Sequence, residues 1–396
     1  MARFLINPLR RARPDWSAPE LGYLELIRTR AQLPLHRALP GYAPTPLHDL
    51  PALASELGLG RVLVKDEGPR FGIQAFKGLG ASFAVYSVLR ARWRELTGQD
   101  LEPGAFADPG VKRRLGVITF TAATDGNHGR AVAWTARRLG QPAVIFMPAD
   151  TAPARIAHIG HEGAEVRLID GTFDDCVAAC AAAAATGGWQ VIADTAYPGY
   201  MEIPGFIMTG YSTIFAEIAD QADAPPDVVL LPAGVGGLAG AGAAHYVQTG
   251  GDRRPALVCV EPEDSACFLE SIAVGDGRPH AARGSQHSLM AGLNCGVPSL
   301  LAWPVVRDAT DVFLAIEDHW AERAMRAHRR HGVVSGESGA ATLAGLLALL
   351  GDDDLATARA HLRLGPHSTV LLINTESDTD PENWVRVTAG AEGGAS

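Results

Sequence analysis

Lysine is almost absent from this chain: Lys65, Lys77 and Lys112 are the only three among 34 basic side chains. Lys77 lies in an apolar, glycine-flanked stretch, Phe71-Gly72-Ile73-Gln74-Ala75-Phe76-Lys77-Gly78-Leu79-Gly80. Arginine keeps its proton at any workable pH, so the amine nucleophile must be a lysine, one whose pKa burial lowers. Lys77 therefore reads as a Schiff-base former. The plain alternative is a lysine that opens a helix and snorkels to solvent. Lys65, beside Asp66 and Glu67, reads as structural, and Lys112, next to Arg113 and Arg114, as a surface charge.

Four further clusters carry chemistry. Gly234-Val235-Gly236-Gly237-Leu238 follows an apolar strand and precedes a helix. Such a turn lets backbone N–H groups converge on a phosphate. The same loop satisfies a dinucleotide fingerprint through Gly234, Gly236 and Ala239, with Glu261 where a ribose-binding carboxylate would stand. The second cluster is Ala123-Thr124-Asp125-Gly126-Asn127-His128-Gly129. Its small residues leave backbone N–H groups open to a substrate carboxylate. Asn127 suits a phenolate or a hydroxyl. Asp125 is a helix N-cap or a general base. His128 reads as structural. In the third cluster Asp194 is a turn residue or an ammonium-binding carboxylate at the mouth of a site. In the fourth, Asn374-Thr375-Glu376-Ser377-Asp378, a hydroxyl could face a heteroaromatic nitrogen.

These clusters need elements to position them. Short apolar strands are expected at 61–65, 116–122, 143–147, 164–169, 190–193, 227–231, 256–260 and 369–373. Helices are expected at 76–92, 130–139, from 153, and at 174–185. Residues 1–40 read as an arm or leading helix without a clear core pattern. Continuous apolar strands separated by helices specify an α/β fold with mainly parallel sheets covered on both faces. In such sheets function sits at the C-terminal ends of strands, where every cluster above falls.

Composition narrows the field. The chain has 396 residues, 47% of them hydrophobic, and a net charge of −10. That is enough for two domains or one large α/β unit, with a large core. No basic block offers a footprint for nucleic acid. No apolar run is long enough to span a membrane. No apolar stretch follows the N-terminal arginines, so no signal peptide is expected. Five cysteines without metal-type spacing argue against zinc and a disulfide framework, and point to a reducing cytoplasm. Cys176 and Cys180 read as small buried packing residues. Whether Cys267 and Cys295 pair stays open. A Gly/Ala-rich tail after Thr388 is expected to fray.

The motifs around Lys77, Asn127, Gly234 and Thr375 resemble, in order, the four signatures of fold-type II pyridoxal-phosphate (PLP) enzymes. Asp125, the Arg70-Phe71-Gly72 run, Asp194 with Tyr197 and Tyr200, the 290–295 segment and Ser335-Gly336-Glu337 make the chain similar to the diaminopropionate ammonia-lyases. The resemblance spans residues 40–380, with Gln74 where that family has Asn. It implies two domains, a large one of 41–84 and 206–390 and a small one of 85–205, with an arm at 1–40 and a tail at 391–396. It implies PLP as cofactor, with Lys77 as Schiff-base residue, Phe76, Asn127, Thr375 and the loop Gly234, Val235, Gly236, Gly237 and Leu238 around it, and no metal. It implies a small amino-acid substrate held by Ala123, Thr124, Asp125 and Asp194, and a homodimer. The implied reaction is β-elimination of ammonia from D- or L-2,3-diaminopropionate to aminoacrylate, then pyruvate and a second ammonia. Lys77 would be the base for the L-isomer and Asp125 for the D-isomer, with Asp194 at the β-ammonium. A hydroxyl facing the ring nitrogen does not protonate it, which favours elimination over transamination. The rivals are a serine or threonine dehydratase and an NAD-dependent oxidoreductase using the 234–239 loop.

Overall fold

The computed structural model describes residues 2–124 and 126–389, apart from the side chains of Ala107 and Asp252. Among the described residues eleven strands form two sheets. They are β1 (Arg3–Ile6), β2 (Leu47–Asp49), β3 (Arg61–Asp66), β4 (Phe120–Ala123), β5 (Ala143–Pro148), β6 (Glu165–Ile169), β7 (Gln190–Val191), β8 (Val228–Pro232), β9 (Ala256–Pro262), β10 (Val312–Ile316) and β11 (Thr369–Asn374). The seven-stranded sheet has the order β1-β10-β9-β8-β11-β3-β2, and the four-stranded sheet β6-β5-β4-β7. Only the edge strands β1 and β2 run antiparallel to their neighbours.

Alternate residues of the large sheet divide between two cores, as a period of two requires. Leu63, Val229, Leu231, Leu257, Leu371 and Ile373 face one side, and Val62, Val64, Val228, Leu230, Val258 and Val370 the other. The first core continues through helices Lys77–Thr97, Glu202–Gln221 and Gly237–Gly250 into the small sheet, where it takes in Phe120, Ile145 and Trp134. The outer face of the small sheet packs Val144 and Phe146 on Cys176 and Cys180 of helix Phe173–Gly187. Burying a side chain of this size contributes about 1.5–3 kcal/mol. The two sheets are thus joined by a shared helical layer.

Several local expectations shift. The strand expected at 116–122 starts at Phe120, because helix Pro109–Leu115 precedes it and ends at Gly116, which has φ 72. The strand expected at 190–193 pairs only over Gln190–Val191. The helix expected from 130 begins at Asn127. The segment 1–40, patternless in sequence, adds β1 to the edge of the large sheet and buries Leu24, Ile27 and Leu35. Among the described residues no helix is long and apolar enough to cross a membrane.

Candidate active site at the junction of the two sheets

Lys77 is the first residue of its long helix. The turn before it is tightly held. Phe71 has φ 53, and its ring stacks on Trp134 with centroids 4.7 Å apart. Gln74 has φ 62, a left-handed conformation that asparagine adopts more readily than glutamine. Behind the turn lies a buried ionic network. Arg70 binds Glu67 and Glu217, and Lys65 Nζ donates to Glu217 Oε2 at 2.7 Å, with all four side chains at most 4% exposed. Lys65 is structural, as expected from its neighbours.

Lys77 Nζ donates to Asp194 Oδ2 at 2.7 Å, and the two side chains are only 18% and 24% exposed. The Phe76 ring centroid lies 5.4 Å from Nζ, and Phe76 packs on Tyr211 at 4.6 Å. Burial disfavours the ammonium, but the Asp194 carboxylate outweighs it and the Lys77 pKa is raised. The expectation that burial lowers this pKa fails here because a counter-ion in contact beats desolvation. Burial also favours the neutral form of Asp194, yet Lys77 first and His128 second hold its pKa below the usual carboxylate range. Asp194 is fixed from both sides. The Tyr200 hydroxyl donates to Val191 O at 2.9 Å and accepts from Ala193 N at 3.0 Å. Ser299 Oγ accepts from Ala196 N at 2.9 Å.

The asparagine loop leaves β4 at Ala123. Thr124 Oγ1 accepts from Gly126 N at 3.0 Å and Gly129 N at 3.2 Å. Those two N–H groups, which the sequence seemed to offer to a carboxylate, are therefore used locally. Asp125 lies outside the described residues. Asn127 Nδ2 donates to Glu376 Oε2. His128 Nε2 lies 2.7 Å from Ile192 O, which holds the ring in place, and its Nδ1 lies 3.8 Å from Asp194 Oδ2.

The glycine loop departs from β8. Gly236 has φ +93, and a Cβ there would lie 2.3 Å from Phe268 Cζ. A Cβ on Gly234 would lie 2.8 Å from Cys295 Sγ. Val235 O accepts from Ser299 N at 2.9 Å, and Leu238 is buried. Helix Gly237–Gly250 begins with no side chain capping its first N–H groups. Uncapped N–H groups behind a loop without side chains fit a phosphate. Thr375 is buried just after β11, and its carbonyl accepts from Phe76 N at 3.1 Å.

Glu261 does not serve a ribose. It is fully buried, and its two oxygens accept from Phe268 N at 2.7 Å and Leu269 N at 2.9 Å. Burial pushes its pKa up to about 8 against those two donors. It caps a helix rather than facing a ligand. No disulfide joins any of the five cysteines, Cys267 and Cys295 included.

Comparison with known proteins agrees with this geometry. Residues 38–376 match the family described as pyridoxal-phosphate dependent enzyme. The chain belongs to that family. Its cofactor is pyridoxal 5′-phosphate, and its fold is the fold-type II α/β architecture. The chain is 40% identical over 360 residues to a diaminopropionate ammonia-lyase of Salmonella typhimurium, covering 88% of this chain and 89% of that protein. A crystal structure of holo diaminopropionate ammonia lyase from Escherichia coli superposes with a TM-score of 0.87 at 34% identity, covering 98% of this chain and 96% of that one. The same enzyme in complex with an aminoacrylate-PLP azomethine intermediate gives a TM-score of 0.84, covering 98% of this chain and 97% of that one.

Sequence reasoning passed over Tyr211 and gave Glu376 no role of its own within the 374–378 cluster. Tyr211 reaches the site from helix Glu202–Gln221, and its ring would lie 2.5 Å from a Cβ on Gly80. The glycines at 80 and 237 are the trace it leaves in the sequence, since both flank its ring.

Proposed function

We propose that this protein is a diaminopropionate ammonia-lyase, eliminating ammonia from 2,3-diaminopropionate to give aminoacrylate, which yields pyruvate and a second ammonia. The observation that carries the reading is the Lys77–Asp194 pair, in which a carboxylate already holds the ammonium of the candidate nucleophile. Likeness to the Salmonella and Escherichia coli enzymes over most of the chain supports it. Lys77 would hold the cofactor covalently, with Phe76 beside it. The loop 234–238 would hold the phosphate through N–H groups, Asn127 the ring oxygen, and Thr375 the ring nitrogen. Bound there, pyridoxal phosphate supplies the electron sink that lets the substrate Cα–H bond ionise. The Lys77 amine would take the Cα proton of the L-isomer. Asp125, with Ala123 and Thr124 lining the substrate carboxylate, takes that of the D-isomer from the opposite side. Asp194 keeps the β-nitrogen protonated. As the Cα–H electrons form the new double bond, the β C–N bond breaks and neutral ammonia departs.

A serine or threonine dehydratase expels a β-hydroxyl, which carries no positive charge and leaves Asp194 without a substrate partner. The domain division into 41–84 with 206–390 and 85–205 is part of the same proposal. It is supported by β4 to β7 all falling within the second segment, although helix Lys77–Thr97 runs through the boundary. A homodimer and a cytoplasmic site are proposed likewise, the latter supported by the free thiols.

The test is the visible spectrum of the purified protein, then pyruvate formation from DL-2,3-diaminopropionate, serine and threonine. A yellow band lost in Lys77→Ala, with pyruvate chiefly from diaminopropionate, is expected. Pyruvate chiefly from serine or threonine would replace the substrate assignment with the dehydratase.

A further inference from the structure

Glu376 is a buried carboxylate that the reaction above does not use. It is 5% exposed and follows Thr375 at the end of β11. Three segments of the site meet on it. Its backbone forms an antiparallel bridge to Ala75, two residues before Lys77. Its carbonyl accepts from Gly336 N at 3.1 Å. Its carboxylate is shared between two donors, Asn127 Nδ2 on Oε2 and Ser338 N on Oε1 at 3.1 Å. A Cβ on Gly336 would lie 3.0 Å from Oε1, so the glycine makes room for this carboxylate. Burial and the Glu337 carboxylate raise the Glu376 pKa, against Arg155 and the two hydrogen bonds.

We infer that Glu376 is the positioning residue of Asn127: it takes one hydrogen of the carboxamide and so fixes which end of that amide faces the cofactor. The inference rests on the proposed contact between Asn127 and the ring oxygen. An ionised carboxylate only accepts, so it selects the nitrogen end of the amide and repels the oxygen end. The carboxamide nitrogen has two hydrogens. With one given to Glu376, the second is available to an anionic ring oxygen, which needs a donor. Were the amide turned over, two acceptors would meet at Glu376 and a third at the cofactor. Asn127 stands at the start of a helix on the small sheet and Glu376 at a strand end of the large one, so the contact also sets this orientation across the junction.

Glu376→Gln tests this. Glutamine has the same shape but offers one oxygen and one NH2, so it cannot accept from both Asn127 and Ser338. The measurement is titration of the apo-protein with pyridoxal 5′-phosphate, reading the dissociation constant and the position of the visible band. Wild type, Glu376→Gln, Glu376→Asp, Asn127→Ala and the Glu376→Gln/Asn127→Ala double variant are compared. Expected are about tenfold weaker cofactor binding and a displaced band for Glu376→Gln. Asn127→Ala should show the same displacement, the double variant should be no worse than Asn127→Ala, and Glu376→Asp should recover part of the loss. A wild-type band and affinity in Glu376→Gln, with Asn127→Ala altered, would overturn the inference alone, as would fully additive effects. An unaltered Asn127→Ala would overturn the Asn127 contact and the inference with it. If Glu376→Gln fails to fold, Glu376→Asp read against Asn127→Ala decides by the same criteria.

Discussion

The chemistry of single residues turns on the Lys77–Asp194 pair. Replacing Asp194 by Asn removes both the counter-ion of Lys77 and the group proposed to keep the leaving nitrogen protonated. Turnover of diaminopropionate should fall about 100-fold or more in Asp194→Asn, read as kcat for pyruvate release. The same pair fixes a pH dependence of the apo-protein. The depressed Asp194 pKa gives stability that is present above its ordinary value of 3.8 and is lost as pH falls below it. The raised Lys77 pKa gives stability present below 10.5 and lost as pH rises past it. The difference in thermal midpoint between wild type and Asp194→Asn should therefore be largest between those limits and shrink on acidification below 3.8. Lys77 and Asp194 stood out singly in the sequence, one by its rarity and one by its place after a strand. Their pairing did not, because it joins residues 117 apart and is made by tertiary packing.

At the scale of elements, the glycine loop was legible because its backbone demands leave a local mark. A strand, a residue with φ +93 and an uncapped helix start require glycine where glycine is found. Gly236→Ala adds about 1–3 kcal/mol of backbone strain and drives a Cβ into Phe268. We expect cofactor affinity to fall by at least about tenfold, measured by fluorescence titration. The lysine turn was legible only in part. Its support, the network of Lys65, Glu67, Arg70 and Glu217, draws on β3, the turn and helix Glu202–Gln221. No local spacing announces such a network. Glu217→Ala leaves Lys65 and Arg70 buried with one carboxylate between them and should cost about 3–5 kcal/mol. Asp100→Ala, which breaks an exposed pair with Arg90, should change stability by less than about 1 kcal/mol. Thermal unfolding of the two apo-variants makes the comparison.

Over the whole molecule, the two parallel sheets were legible from their apolar strands, while the edges were not. Edge strands β1 and β2 are short and half-exposed, so they lack the continuous apolar run that marked β8 and β11. Residues 1–40 look patternless for the same reason, since their apolar positions are spread over one strand and two short helices. Tyr211 was invisible because it reaches the site from a helix whose sequence speaks only for its own core, and Glu376, though part of the 374–378 cluster, gave no local sign of its contact with Asn127. The burial of Lys65 has a consequence of a different kind. Of the three lysines, Lys65 is sealed inside the protein, Lys77 is mostly buried in its pair with Asp194, and Lys112 is exposed on the surface, so the side-chain amine that a reagent reaches first is that of Lys112. An amine-directed label on the native protein would then go to Lys112 before any other side chain, making this chain a ready scaffold for attaching a single reporter that spares the amine proposed to hold the cofactor.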